Sequence, residues 1–156
     1  MRKSILKLAT MSVAMSAMAI SVPAFAQDAA AEEASGPITV SGGAALVSDY
    51  RFRGVSLSDK GFALQPYLTV KHESGFYVGA WASNLSENDG DDAEVDLYVG
   101  FSGGEELTYD IGATYYVYPG VSSFNYLELT GKLGSTVGPA TIGAQLSYVP
   151  SQDNTG

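Results

Sequence analysis

Leu107-Thr108-Tyr109-Asp110-Ile111-Gly112-Ala113-Thr114-Tyr115-Tyr116-Val117-Tyr118 alternates apolar and polar residues without a break. One set is Leu107, Tyr109, Ile111, Ala113, Tyr115 and Val117; the other is Thr108, Asp110, Gly112, Thr114, Tyr116 and Tyr118. Successive side chains on a strand point to opposite faces, so this segment predicts a strand with one greasy and one wet side. Such a strand suits a barrel wall between lipid and water.

Six further segments carry the same period. They are predicted at about Ile38–Tyr50, Phe62–His72, Phe76–Asn84, Ala93–Phe101, Phe124–Leu133 and Ala140–Val149. Each is close to the length a tilted strand needs to cross a bilayer. After residue 37 no stretch shows the period of an amphipathic helix. The connections alternate in length. Long ones are expected at Arg51–Gly61 and Leu85–Asp92, and a moderate one at Pro119–Ser123. Short ones are expected at Glu73–Gly75, Ser102–Glu105 and around Gly134-Ser135-Thr136. Outer-membrane barrels pair short periplasmic turns with longer extracellular loops. The expected fold is therefore all-β, an antiparallel up-and-down transmembrane β-barrel. Seven is an odd count where bacterial barrels carry even numbers. The expectation is an incomplete barrel, the first part of a longer chain.

Residues 1–26 read as a signal peptide. Arg2, Lys3 and Lys7 precede the apolar Leu8–Val22, and Pro23-Ala24-Phe25-Ala26 offers a small-residue cleavage site. Residues 27–37 are acidic and small, a flexible N-terminal segment, and 38–156 form the barrel domain. The leader carries three of the eight Lys and Arg and none of the 17 Asp and Glu, so its removal leaves a formal charge of −12. That excess of acid argues against nucleic acid as a partner and against docking on anionic lipid through basic patches. There is no cysteine, hence neither a disulfide framework nor a thiolate metal site.

Gly43-Ala44-Ala45-Leu46-Val47-Ser48-Asp49-Tyr50-Arg51-Phe52-Arg53-Gly54-Val55-Ser56 resembles the opening motif of the TorF porin family of proteobacterial outer-membrane proteins. Gly75–Asn84 and the spacing to Glu94-Val95-Asp96-Leu97-Tyr98 also fit that family. The resemblance implies a cell outer membrane location in a Gram-negative bacterium. It also implies that family members run on through further strands beyond Gly156.

Nine charged residues fall on the polar parity and are expected to line the lumen: Asp49, Arg51, Arg53, Lys71, Glu94, Asp96, Asp110, Glu128 and Lys132. Asp49, Arg51 and Arg53 form either a charged constriction that filters ions or an ion-pair brace of the wall. The excess of acid predicts a weak preference for cations. Aromatic residues near strand ends, among them Tyr50, Phe52, Phe76, Tyr77, Phe101, Tyr115, Tyr116 and Tyr148, are expected to form interfacial girdles.

The acidic Glu87–Asp92 loop lacks EF-hand spacing. His72, the sole histidine, falls on the apolar parity. No nucleophile elbow, zinc-protease or phosphate-loop motif occurs. The expectation is thus no enzyme, no cofactor and no metal, but a porin-like channel for passive diffusion of small polar solutes or ions. Its partners would be outer-membrane lipid and those solutes. The alternative is a structural or interaction barrel with a plugged lumen. A barrel enzyme and a soluble β-sandwich are the less favoured readings.

Overall fold

The computed structural model describes residues 36–88 and 91–152. The leader, most of the acidic N-terminal segment and the tip of the Glu87–Asp92 loop lie outside the described residues.

Among the described residues nine strands follow in chain order. They are β1 (Ile38–Val47), β2 (Arg51–Phe52), β3 (Val55–Ser56), β4 (Ala63–His72), β5 (Phe76–Asn88), β6 (Asp91–Gly103), β7 (Leu107–Val117), β8 (Tyr126–Val137) and β9 (Ala140–Tyr148). Seven of them form one antiparallel meander in the order β1-β4-β5-β6-β7-β8-β9. Among the described residues no pairing joins β1 to β9, so the sheet has two edges and no closed barrel. The only helical element is a single 3-10 turn, Ser122–Phe124, among the described residues.

The register keeps like faces together. Val40 pairs with Val70 and Val70 with Val78; Val78 pairs with Val99 and Val99 with Ala113. Ala113 then pairs with Leu129, and Leu129 with Tyr148. A one-residue slip anywhere would turn a whole strand over, so this unbroken apolar row fixes the register. The polar parity is equally continuous: Thr69 meets Gly79, Gly79 meets Tyr98, and Tyr98 meets Thr114.

Burial is inverted relative to an ordinary globular domain. Glu94 is 1% exposed and Glu128 3%, whereas Val40 is 63% and Ile111 66% exposed. Buried polar groups and a large exposed apolar face are the informative departures from normal partitioning. The polar face holds the interior and the apolar face looks outward.

Short connections join β4 to β5, β6 to β7 and β8 to β9, as expected. At the opposite end long connections follow β1 and β7, but the long loop expected at Leu85–Asp92 is largely strand: β5 runs to Asn88 and β6 starts at Asp91, and these two residues pair across the connection. Two further details differ from the sequence-based expectation. The last turn is not at Gly134–Thr136, because Ser135 pairs with Ile142 and Val137 with Ala140. The turn is Gly138-Pro139, with Gly138 at φ +61°. Proline cannot follow with a positive φ, so the pair fits a type II′ hairpin. The second detail is the long connection after β1, which contains a small hairpin of its own, β2–β3.

Strand β5 also carries an irregularity. Asn84 pairs with Ala93 and Asn88 with Asp91, leaving two extra residues on the β5 side. A bulge of this kind frees backbone donors from the ladder. Ser86 uses its freed N–H to bond Leu57 O at 2.9 Å, which ties the long first connection to the wall.

Candidate functional site

The β2–β3 hairpin begins in the Ser-Asp-Tyr-Arg-Phe-Arg-Gly-Val-Ser run. Phe52 pairs with Val55, and the two residues between them, Arg53 and Gly54, have φ of 49° and 90°. Two positive values make this a type I′ turn, whose usual first residue is Asn, Asp or Gly. An arginine there costs roughly 1 kcal/mol or more and persists only where its surroundings hold it.

The surroundings do hold it. The Arg53 guanidinium donates to Glu128 Oε2, an ion pair between residues 75 apart in sequence. It also lies 4.6 Å from the centroid of the Phe52 ring. Phe52 meets Tyr116 edge-on at 6.0 Å, and Tyr116 stacks on Tyr126 at 4.5 Å. Tyr50 leans on Trp81 at 5.3 Å, and its hydroxyl donates to Glu94 Oε2 at 3.1 Å. The first long connection is therefore folded onto the polar face and anchored to β5, β6, β7 and β8.

The base of this connection is stitched by its own polar groups. Ser56 Oγ donates to Asp49 Oδ1 at 2.5 Å, and Arg51 Nε donates to Asp49 Oδ2 at 2.6 Å. The Arg51 guanidinium also donates to Gly54 O at 3.0 Å. Tyr50 N–H donates to Ser58 Oγ, and Leu57 N–H to Tyr50 O. The Ser56 hydroxyl, chiefly, holds the Asp49 carboxyl below its ordinary range, assisted by the Arg51 guanidinium and opposed by lost hydration. Burial first, and then the Glu94 carboxylate, pushes the Tyr50 phenol far above the ordinary tyrosine range. Tyr118 is raised in the same direction by the same pair of causes.

The structure thus divides the Asp49–Arg51–Arg53 set. Asp49 and Arg51 pair with each other and organise the loop, while Arg53 reaches across to Glu128. Glu94, Asp96 and Glu128 gather beneath the hairpin. Asp96 is flanked in register by Trp81 and Tyr116, and its buried Oδ1 has no hydrogen-bond partner among the described residues.

The remaining sequence-based candidates sit toward the short-turn end. Asp110 accepts from Tyr77 OH at 3.0 Å on both oxygens, Lys132 stands opposite Asp110 in register, and Lys71 Nζ donates to Ser102 Oγ at 3.1 Å. The nine residues therefore form two separate groups rather than one ring.

Several aromatics expected in the girdles point inward instead. Tyr50, Phe52, Tyr77 and Tyr116 are not girdle residues; they pack on the polar side. Parity carries the missing signal, since Tyr77 and Tyr116 alternate with the outward Phe76 and Tyr115. Trp81 and Tyr126, absent from the sequence-based site, share the acids' parity too. The outward aromatics do form two bands: Phe76, Phe101 and Tyr109 near the short turns, Phe62, Tyr115, Phe124 and Tyr148 near the long loops. His72 accepts from Ser74 N–H through Nδ1 at 3.1 Å and shapes the β4–β5 turn. Among the described residues no group of three or more His, Asp or Glu is placed to hold a metal ion.

Fold and site together define an antiparallel β-meander with an apolar outer face, and with a charged, aromatic inner face covered at one end by a latched hairpin. Residues 31–156 match the family described as "Bacterial protein of unknown function (Gcw_chp)", and the chain belongs to that family. No curated protein and no solved structure matches it.

Proposed function

We propose that this protein is a porin-like outer-membrane channel for passive diffusion of small polar solutes or ions, its strands spanning the bilayer as a barrel wall. The observation that carries this reading is the inverted surface: buried carboxylates on one face of the sheet, a continuous exposed apolar row on the other. In water an apolar face of that extent would be an aggregation hazard; against lipid it is the stable arrangement. Main strands of 9 to 13 residues suit a tilted crossing. Two outward aromatic bands suit the two water interfaces. The resemblance to the TorF porin family and the leader-like N-terminus agree with export to the outer membrane.

A plugged barrel without transport is the second reading. It is favoured by one feature, the hairpin that occupies the long-loop end of the polar face.

Membrane fractionation and planar-bilayer recording of the full-length protein test both. Outer-membrane recovery with heat-modifiable gel mobility and stepwise conductance is expected. Recovery in the soluble fraction would overturn the membrane reading. Membrane recovery without conductance would select the plug.

A further inference from the structure

We propose that the β2–β3 hairpin is the constriction of this channel, latched by the Arg53–Glu128 pair, and that Arg53 sets its selectivity among small cations and anions. The inference rests on the channel reading and deepens it.

Three observations place the constriction here. The hairpin is pinned over the polar face at two points, by Tyr50 on Glu94 of β6 and by Arg53 on Glu128 of β8. Its tip keeps an unfavourable left-handed arginine, a conformation retained where a particular side-chain placement is enforced. The two members of the pair also differ in access. The Glu128 side chain is 4% exposed, the Arg53 side chain 52%. One edge of the guanidinium is spent on the latch and one face lies over the Phe52 ring, while about half of the side chain stays exposed.

Charge then gives the direction of selectivity. Glu94, Asp96 and Glu128 lie under the hairpin with Arg53 as the basic group among them, so the local balance is acidic. An acid-lined constriction concentrates cations, and the arginine limits that preference. Neutralising the two partners should therefore move selectivity in opposite directions, although both changes break the same ion pair. A purely structural brace would give both variants the same phenotype.

The test is single-channel recording of the full-length protein in planar bilayers across a KCl gradient, with heat-modifiable mobility as the control for folding. Arg53→Gln is expected to raise the cation-to-anion permeability ratio at least about twofold and to increase conductance. Glu128→Gln is expected to lower the ratio by a similar factor and to add open-state fluctuation as the hairpin comes loose. Arg53→Lys, which keeps the charge, should restore the wild-type ratio. Glu105→Gln, at the opposite turn, should match the wild type. If Arg53→Gln does not fold, the ratio of Glu128→Gln against the wild type still decides. A silent wild type with a conducting Arg53→Gln would support the hairpin as a complete plug. A conducting wild type whose variants keep its ratio would overturn the constriction and leave the channel standing. Silence in every folded variant would overturn the channel and the constriction with it.

Discussion

The ring of Tyr98 lies across Gly79, its cross-strand neighbour, and reaches over it to bond Thr69 Oγ1 at 2.6 Å on the strand beyond. Tyr77 repeats the device in the other direction, crossing Gly100 to reach Asp110. Each glycine is a gap through which an aromatic ring spans three strands on the inner face, the pairing described as aromatic rescue of glycine. A β-carbon at residue 79 would lie 2.4 Å from Leu68 O and 2.5 Å from the Tyr98 hydroxyl. The ring could swing away, but the carbonyl belongs to a paired strand and cannot. Gly79→Ala is expected to cost about 1–3 kcal/mol, as overpacking does. Denaturant unfolding of the purified protein in detergent measures it; an unchanged midpoint would mean that the wall yields at this point.

Tyr77 tests the polar half of the same device. Tyr77→Phe keeps the ring over Gly100 and removes only the hydroxyl that donates to Asp110. A hydrogen bond to a carboxylate contributes about 1.5–3 kcal/mol, so a loss within that span is expected. Combining it with Asp110→Asn should cost less than the two single changes added, because one interaction is being removed twice. Strict additivity would show that the two groups act independently.

Asp49 gives the first loop a dependence on pH. Its folded pKa is depressed below 3.8, chiefly by the Ser56 hydroxyl. A carboxyl with a depressed pKa contributes stability above its unfolded value and loses that contribution as pH falls through the folded one. Protection of residues 48–62 from proteolysis should stay level from neutrality down to about pH 4 and decline below it. Asp49→Asn should be less protected at neutral pH and lack the acid step. A loop in the native protein that is equally protected at acid and neutral pH would remove Asp49 from this role.

These interactions mark what the chain discloses and what it hides. The faces are legible because a period of two depends only on neighbours along the strand: all seven long strands keep the predicted parity. Turns are legible where the residues are unambiguous, as at Glu73-Ser74-Gly75. Gly134 misleads because a glycine inside a strand resembles one in a turn; only pairing across to Gly143 separates them. The β2–β3 hairpin is hidden by its length, two residues a side, and by an Arg-Gly tip outside the usual turn chemistry. The Arg53–Glu128 pair is hidden by its separation, since nothing local in either residue names the other. Inward tyrosines such as Tyr77 are ambiguous because aromatic residues near strand ends suit both a girdle and the inner face; parity alone points them inward.

The outward face offers the sharpest contrast between lipid and water. Leu97 lies on the apolar side of β6, half exposed and opposite Tyr115, whereas Thr130 lies on the polar side of β8, opposite Ser147. Each is replaced by arginine in turn, so that the same charge and bulk are tested on both faces. In a membrane-spanning wall the arginine at position 97 faces hydrocarbon near mid-strand, where it costs roughly 2–4 kcal/mol. At position 130 it faces the polar interior and can reach the acidic side chains there. Leu97→Arg is therefore expected to reduce the heat-modifiable, folded fraction recovered from outer membranes, and Thr130→Arg to leave most of it. A sheet whose apolar face met water would give the reverse, because an exposed arginine there would improve solubility. Equal recovery of the two variants, or better recovery of Leu97→Arg, would take lipid away from this face.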